Sequence, residues 1–372
     1  MNPFSYGTIV RGDHFYDRKE ECAHIVKTLS GGNNLVLYAP RRFGKTSLVF
    51  RAIEELEVQG FICIYFDFMP VFSPESFVRL YTKALSAKQS NLQKFAQTFA
   101  TVIKNLRLVL SFDAEGKPEF SVDFAGSSVD ETTISQLLDM TESLSGGTDK
   151  RVIVFFDEFQ EAEKLNNIHF EGLLRSKIQQ QRRTNYLFFG SKTHLLRALF
   201  NDKKRAFYNA ASQMTIGQLP EKETIAYLRE KFAGSAITLS VETAKYIISV
   251  TSDIPHYIQL LAAEIWQYTI NTHPVITKEI VDECTERLLI FKSDYYMELF
   301  DRQSKSRKQL LLALTLGGKN IFSAIYIRKH CLPGAATLQR AIKGLIMDGI
   351  VEKIKDEYFI TDPFFKMFIA TT

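Results

Sequence analysis

The stretch Leu35-Val36-Leu37-Tyr38-Ala39-Pro40-Arg41-Arg42-Phe43-Gly44-Lys45-Thr46-Ser47-Leu48-Val49-Phe50 decides the fold. Leu35–Tyr38 is an apolar run of strand type, a turn follows, and an apolar-faced helix opens at Lys45. That order carries the pattern G-x-x-x-x-G-K-[ST] with one departure, Ala39 at the first glycine. Gly44 lets the backbone approach phosphates without a Cβ in the way. The N–H groups that open the helix point at an anion, and the helix dipole favours negative charge there. Lys45 offers a cation to the β- and γ-phosphates, and Thr46 offers a hydroxyl to Mg²⁺. Ala39, Pro40, Arg41, Arg42, Phe43, Gly44, Lys45, Thr46 and Ser47 are therefore the expected nucleotide-binding residues. Ala39 is acceptable if its φ stays negative. A chance Gly-Lys-Thr ahead of an amphipathic helix would not need the strand that precedes this one.

A second segment, Arg151–Gln160, is an apolar run that ends in two acids, Asp157 and Glu158. Acids belong at the carboxyl end of a buried strand, where open α/β sheets bind their ligands. Asp157 is the expected Mg²⁺ partner. Glu158 is the expected base that orients and deprotonates the attacking water. The plainer alternative is a solvated strand end. A further strand, Tyr186–Phe189, runs into Gly190 and Ser191. The Ser191 hydroxyl either senses the γ-phosphate or holds the water, or it simply caps the next helix. Lys45, Glu158 and Ser191 form the expected catalytic set, with Thr46 and Asp157 at the metal.

Further runs of strand type are Phe61–Phe66 and Met214–Ile216. Near-continuous apolar strands alternating with helices predict a parallel sheet buried on both faces. Residues 70–150 form an insertion, in which Leu108–Phe112 and Glu119–Asp123 flank a turn around Gly116 and predict a β-hairpin. After Pro220 the pattern is helical: Glu221–Phe232, Val241–Val250, His256–Asn271 and Lys278–Lys292. From Asp301 onward, helices at Arg307–Leu316 and Thr337–Gly349 precede a short hairpin at Ile350–Ile360, the order of a winged helix-turn-helix. The expected domains are 1–220, 221–300 and 301–372.

The 372 residues are 45% hydrophobic and include 30 Phe, enough for real cores, so disorder is not expected. A net charge of +4 permits a nucleic-acid partner without requiring one, because such partners are met by local patches. Cys22, Cys63, Cys284 and Cys331 show no C-x-x-C spacing, so neither a disulfide framework nor a zinc site is indicated. Met1–Val10 lacks the pattern of a secretory signal, and no apolar run reaches membrane-spanning length. The expected setting is cytoplasmic, with no membrane partner.

Six segments in order resemble the archaeal-type AAA+/STAND ATPases. Phe15-Tyr16-Asp17-Arg18-Lys19-Glu20-Glu21 resembles the lead-in F-x-G-R-E-x-E, which packs at the adenine end. The phosphate loop, the acidic strand and the strand ending at Ser191 follow. Ser252-Asp253-Ile254-Pro255-His256-Tyr257 is similar to the lid segment G-G-x-P-x-Y, and the tail from Leu345 to Phe364 resembles the family's winged-helix ending. The resemblance implies an α/β P-loop NTPase core with a parallel sheet, an all-α helical lid and a winged helix. It implies that Arg18 and Pro255 lie at the adenine. His256 either faces the phosphates or packs in the lid. Asp17, Ser252 and Asp253 replace family glycines. The family's L-Y-G-R appears as Phe207-Tyr208-Asn209-Ala210, without its arginine. The run Asp202-Lys203-Lys204-Arg205 either substitutes for it or is a solvated basic helix turn.

In the winged helix, Gln339, Arg340 and Lys343 occupy the helix that would enter a major groove. One Arg and one Lys are a weak phosphate footprint. Three functions remain open. The first is a Mg²⁺- and ATP-dependent molecular switch with slow hydrolysis. The second is a nucleotide-regulated DNA-binding regulator or recombination accessory factor, and the third a nucleotide-binding scaffold with little turnover. ATP is the expected ligand. A protein partner encoded elsewhere is expected, and a homo-oligomer or DNA at the winged helix are the further partners considered.

Overall fold

The computed structural model describes residues 1–7, 18–89, 92–103, 106–112, 118–124, 126, 128–145, 150–272, 274–354 and 356–371. The chain divides into two compact units. One comprises Arg18–Pro40 and Lys45–Gly217; the other comprises Met1–Asp17, Arg41–Gly44 and Gln218–Thr372.

The first unit is an α/β sandwich. Its elements are α1 (Lys19–Ser30), β1 (Leu35–Tyr38), α2 (Lys45–Val58), β2 (Ile62–Asp67), α3 (Pro74–Ser86), α4 (Leu92–Val102), β3 (Arg107–Phe112), β4 (Pro118–Asp123), α5 (Glu131–Ser143), β5 (Val152–Asp157), α6 (Phe170–Gln180), β6 (Thr184–Gly190), α7 (Thr193–Asn201) and β7 (Ser212–Thr215). Five strands form a parallel sheet in the order β2-β5-β6-β1-β7. β1, β5 and β6 are buried along their whole length, as their unbroken apolar sequences require. β3 and β4 pair antiparallel in the expected hairpin, whose turn at 113–117 lies outside the described residues. Met214–Ile216, expected to be a buried strand, is instead represented by β7, in which Ser212, Gln213 and Thr215 are exposed. Among the described residues β7 pairs only with β1 and so stands at the edge of the sheet.

The core on one side of this sheet is aromatic. Phe156 and Phe159 stack with centroids 5.8 Å apart, and Phe159 also meets Phe188 at 4.6 Å and Phe68 at 5.5 Å. These two rings bracket Asp157 and Glu158 in sequence. Burying a ring on each side of the acids fixes where the strand ends and the chain turns away.

The second unit holds α8 (Glu221–Ala233), β8 (Thr238–Leu239), α9 (Val241–Val250), α10 (Pro255–Thr269), β9 (Val275–Ile276), α11 (Lys278–Phe291), α12 (Ser293–Asp301), α13 (Lys305–Thr315), α14 (Ala324–Lys329), α15 (Ala335–Met347), β10 (Val351–Ile354), β11 (Glu357–Ile360) and α16 (Pro363–Thr371). The segment after Pro220 is not purely helical, because β8 and β9 pair in parallel. Two residues per strand are too few for any sequence period to show. α13, α15 and the antiparallel β10–β11 pair give the expected winged helix, with α14 and α16 added. A single hydrophobic cluster extends through this unit from Ile225 to Ile369 and includes Phe43.

Candidate nucleotide site

The phosphate loop leaves β1 and enters α2 at Lys45. Ala39 is fully buried and is not among the residues with positive φ, so its Cβ costs nothing there. The left-handed positions are instead Arg42, at φ 72°, and Gly44, at φ 77°. An added Cβ at Gly44 would meet no atom within 4 Å, which leaves open space over the backbone there. The first turn of α2 carries no acidic residue to compete with an anion. Phe43 is buried and Pro40 half-buried, whereas Arg41 and Arg42 are exposed; the side chains of Thr46 and Ser47 follow Lys45 into the helix.

Three expected residues converge. Lys45 Nζ lies 3.8 Å from Asp157 Oδ1 and 3.7 Å from Glu158 Oε1, and Lys45 and Asp157 are both buried. The Lys45 ammonium also sits 5.5 Å over the Phe189 ring. Burial pushes the Asp157 carboxyl up, against the opposing pull of Lys45 and a hydrogen bond from Tyr65. Burial also works to raise Glu158, but Lys45 and donors from Ser191 and Gln160 outweigh it and hold Glu158 below the usual range. Two carboxylates share one ammonium, so the cluster has spare affinity for positive charge.

Glu158 has φ 47°, an uncommon value for a residue with a Cβ, and its N–H donates to Asp157 Oδ1 at 2.8 Å. This sharp turn leads from β5 into a 3₁₀ segment, Phe159–Ile168. Ser191 N–H and Oγ both donate to Glu158 Oε2, at 3.0 and 2.8 Å. The capping alternative for Ser191 fails: the N-cap of α7 is Lys192, one residue later.

Sequence reasoning missed three members. Tyr65 of β2 donates its hydroxyl to Asp157 Oδ2 at 2.7 Å, and burial followed by the Asp157 charge keeps that phenol protonated. Asp67 faces Asp157 in the β2–β5 register; burial pushes it up, partly offset by the Met69 N–H it accepts. Gln160 Nε2 donates to Glu158 Oε2 at 2.5 Å. The period of two along β2, which puts Tyr65 and Asp67 on one face, was the available signal.

Other expected residues stand elsewhere. Arg18, at φ 65°, is buried with its guanidinium on Glu21 Oε1 (2.8 Å) and the Gly217 carbonyl (2.7 Å). Phe15–Asp17 lie outside the described residues. Pro255 is the first residue of α10 and half-buried. Ser252 and Asp253, which stand where the resembling family has glycine, adopt φ 54° and 55°, a region that glycine enters without strain. His256 is pushed down to about 4 by burial and by Arg42 and Lys292, all in the second unit. The Asp202–Arg205 run is a turn and not a helix turn, since α7 ends at Asn201. Arg205 is bound to Glu171 at 2.5 Å and Glu163 at 2.7 Å, while Lys203 and Lys204 are exposed.

The donor set fits Mg²⁺. The Thr46 hydroxyl and the Asp157 carboxylate are hard oxygen donors, and among the described residues no group of three or more His, Cys, Asp or Glu could hold a metal. Mg²⁺ is held in this way, by one or two side chains together with phosphate oxygens and water.

Residues 15–189 match an ATPase domain predominantly from Archaea, and residues 294–371 match a probable winged helix domain. No curated protein matches the sequence. Among solved structures, the chain is similar to a Walker-type ATPase of Pyrococcus abyssi, PABY2304, at 16% identity and TM-score 0.66, covering 99% of each chain. It is also similar to the Aeropyrum pernix ORC2 protein, in ADPNP–ADP complexes, at 10% identity and TM-score 0.57 over 99% of this chain and 98% of that one. The Aeropyrum pernix ORC1 protein, solved with DNA, gives 13% identity and TM-score 0.51 over 96% and 94%. At these identities the likeness establishes the fold: a parallel-sheet P-loop ATPase core with a C-terminal winged helix. No helix among the described residues is long and apolar enough to cross a membrane.

Proposed function

We propose that this ATPase domain binds Mg·ATP at Lys45 and hydrolyses it slowly, and that its nucleotide state switches the arrangement of the helical and winged-helix parts. The observation that carries the reading is the convergence of Lys45 with Asp157 and Glu158, within 3.8 Å, at the carboxyl end of a parallel sheet. Lys45 exchanges its carboxylate partners for the β- and γ-phosphates, with Ala39–Gly44 and Ser47 wrapping the nucleotide. Thr46 and Asp157 would hold Mg²⁺, which when bound neutralises phosphate charge. Glu158 takes a proton from water as the water oxygen bonds to the γ-phosphorus. The bond from that phosphorus to the β–γ bridging oxygen breaks, and ADP leaves with the electron pair. Arg18 and Pro255 are proposed at the adenine, following the family resemblance.

Slow turnover follows from the missing arginine. Asn209 and Ala210 carry no cation, and an arginine finger is typically worth roughly 10³–10⁵ in rate. Arg205 is already committed to Glu171 and Glu163, so the charge is proposed to come from a protein partner. The test is Glu158→Gln: ATP affinity should hold while single-turnover hydrolysis falls about 10²–10⁴-fold. That variant, loaded with ATP and then with ADP, should show two different protease-cleavage patterns; identical patterns would remove the switch from the reading.

A second reading, DNA binding, rests on the exposure of Gln339, Arg340 and Lys343 together on α15 and on the neighbour solved with DNA. A duplex-DNA shift that weakens steeply with salt and is lost in Arg340→Ala/Lys343→Ala would favour it.

A further inference from the structure

Glu158 has two carboxylate oxygens with different surroundings. Oε2 accepts three hydrogen bonds, from Gln160 Nε2 at 2.5 Å, Ser191 N–H at 3.0 Å and Ser191 Oγ at 2.8 Å. A carboxylate oxygen offers about two lone-pair sites, so Oε2 has no capacity left for a water proton. Oε1 faces the Lys45 ammonium at 3.7 Å. Once that ammonium turns to phosphate, Oε1 is the oxygen with a lone pair to give.

Gln160 is an expensive way to make one of those bonds. It is 2% exposed, and its Oε1 is buried with no hydrogen-bond partner. An apolar side chain of the same shape would avoid that cost. Its seat also depends on Gly190: a Cβ there would lie 1.9 Å from Gln160 Oε1. A costly buried amide in a fitted slot, with its donor on the base, is better explained by aim than by packing.

We infer that Gln160 is a positioning residue for Glu158: together with Ser191 it fills Oε2 and so presents Oε1 as the atom that takes the proton of the attacking water. The inference rests on the reading of Glu158 as the base. The charged and titratable groups facing Glu158 among the described residues are Lys45 of α2, Tyr65 and Asp67 of β2 and Asp157 of β5. Changing Gln160 removes none of them. It removes only a donor to the charged carboxylate, which raises the pH at which Glu158 loses its proton.

The experiment compares Gln160→Met, Gln160→Glu and Glu158→Gln in single-turnover ATP hydrolysis across pH, with ATP affinity and melting temperature alongside. Gln160→Met should melt at or above the parent temperature and bind ATP within about twofold, yet hydrolyse roughly tenfold more slowly, the scale of a lost orientation. The acid limb of its pH–rate profile should move to higher pH. Gln160→Glu, of the same size but acidic, should move that limb further. If both variants keep the parental rate and limb while Glu158→Gln is slow, Gln160 does not aim the base and this inference falls alone. If Glu158→Gln itself hydrolyses at the parental rate, the base assignment falls first. Rates that drop only in step with melting temperature, the limb unmoved, would make Gln160 a packing residue and overturn the inference. Should the Met variant fail to fold, the Glu variant decides: hydrolysis that slows while ATP affinity and melting temperature hold supports the inference, and a parental rate overturns it.

Discussion

A charge cluster in the first unit and one in the second are balanced in opposite ways. In the first unit, two carboxylates, Asp157 and Glu158, share the single ammonium of Lys45. In the second, the Asp362 carboxylate meets Arg42 at 3.4 Å while Lys292 and His256 lie in the same field. Asp362 is fully used: it accepts the Tyr296 hydroxyl at 3.2 Å on both oxygens and the N–H groups of Phe364 and Phe365 at 3.0 and 3.2 Å, capping α16. Burial and Arg42 hold Lys292 below the usual lysine range against the pull of Asp362, so cations there are in excess. A cluster in which every acceptor is filled holds a fold together. One with more carboxylate than cation has capacity in reserve, and that reserve is where a ligand acts.

The largest effect that would break this contrast is at Lys45. Lys45→Ala should abolish ATP turnover, and it should also destabilise the first unit by up to about 3 kcal/mol, because the buried Asp157 and half-buried Glu158 carboxylates lose their cation. The melting deficit should shrink as pH falls and those carboxylates protonate. A variant that lost turnover without any pH-dependent deficit would show that Lys45 does not neutralise the pair.

Tyr65→Phe tests the reserve more gently. The ring stays, 4.9 Å from Phe50, and only the donor to Asp157 Oδ2 goes. Such outer partners typically carry about 10–100-fold in metal affinity, so the Mg²⁺ concentration for half-maximal turnover should rise roughly tenfold. An unchanged Mg²⁺ requirement would take Tyr65 out of the site.

In the second cluster the outcomes should be structural. Asp362→Ala loses the α16 cap and the partner of Arg42 and should cost about 1–2 kcal/mol, with Asp362→Asn costing less because it still caps. The difference in melting temperature between the parent and Asp362→Asn measures the charge, and that between the two variants measures the cap.

The smallest effect is at His256. Its proton affinity is lowered in the fold to about 4, from an ordinary value near 6.5. The unfolded chain therefore takes up its proton first as pH falls. Stability is fully present above about pH 6.5, is lost progressively down to about pH 4, and levels off below. His256→Gln should flatten the melting-temperature profile across that window and leave it unchanged above. A parallel loss at all pH values would assign His256 to packing only.

The sequence by itself determined what is local. Leu35–Tyr38 could only be a buried strand, Gly44-Lys45-Thr46 only a turn into a helix start, and the apolar run before Asp157 placed two acids at a strand end. The winged helix was legible because helix periods and a hairpin follow in a fixed order over Lys305–Ile360. Resemblance added the glycine positions that Ser252 and Asp253 fill with positive φ. Tertiary structure decided what depends on strand order. With β5 between β2 and β6, Tyr65 reaches Asp157 across 92 residues of sequence, and Ser191 reaches Glu158 across 33. The left-handed turn at Glu158, the seat of Gln160 over Gly190 and the pairing of Arg205 with Glu171 have no period or motif to announce them. Periodicity reports which face of an element is buried, because burial repeats along the chain; a single hydrogen bond between elements does not repeat, and only the packed sheet fixes it.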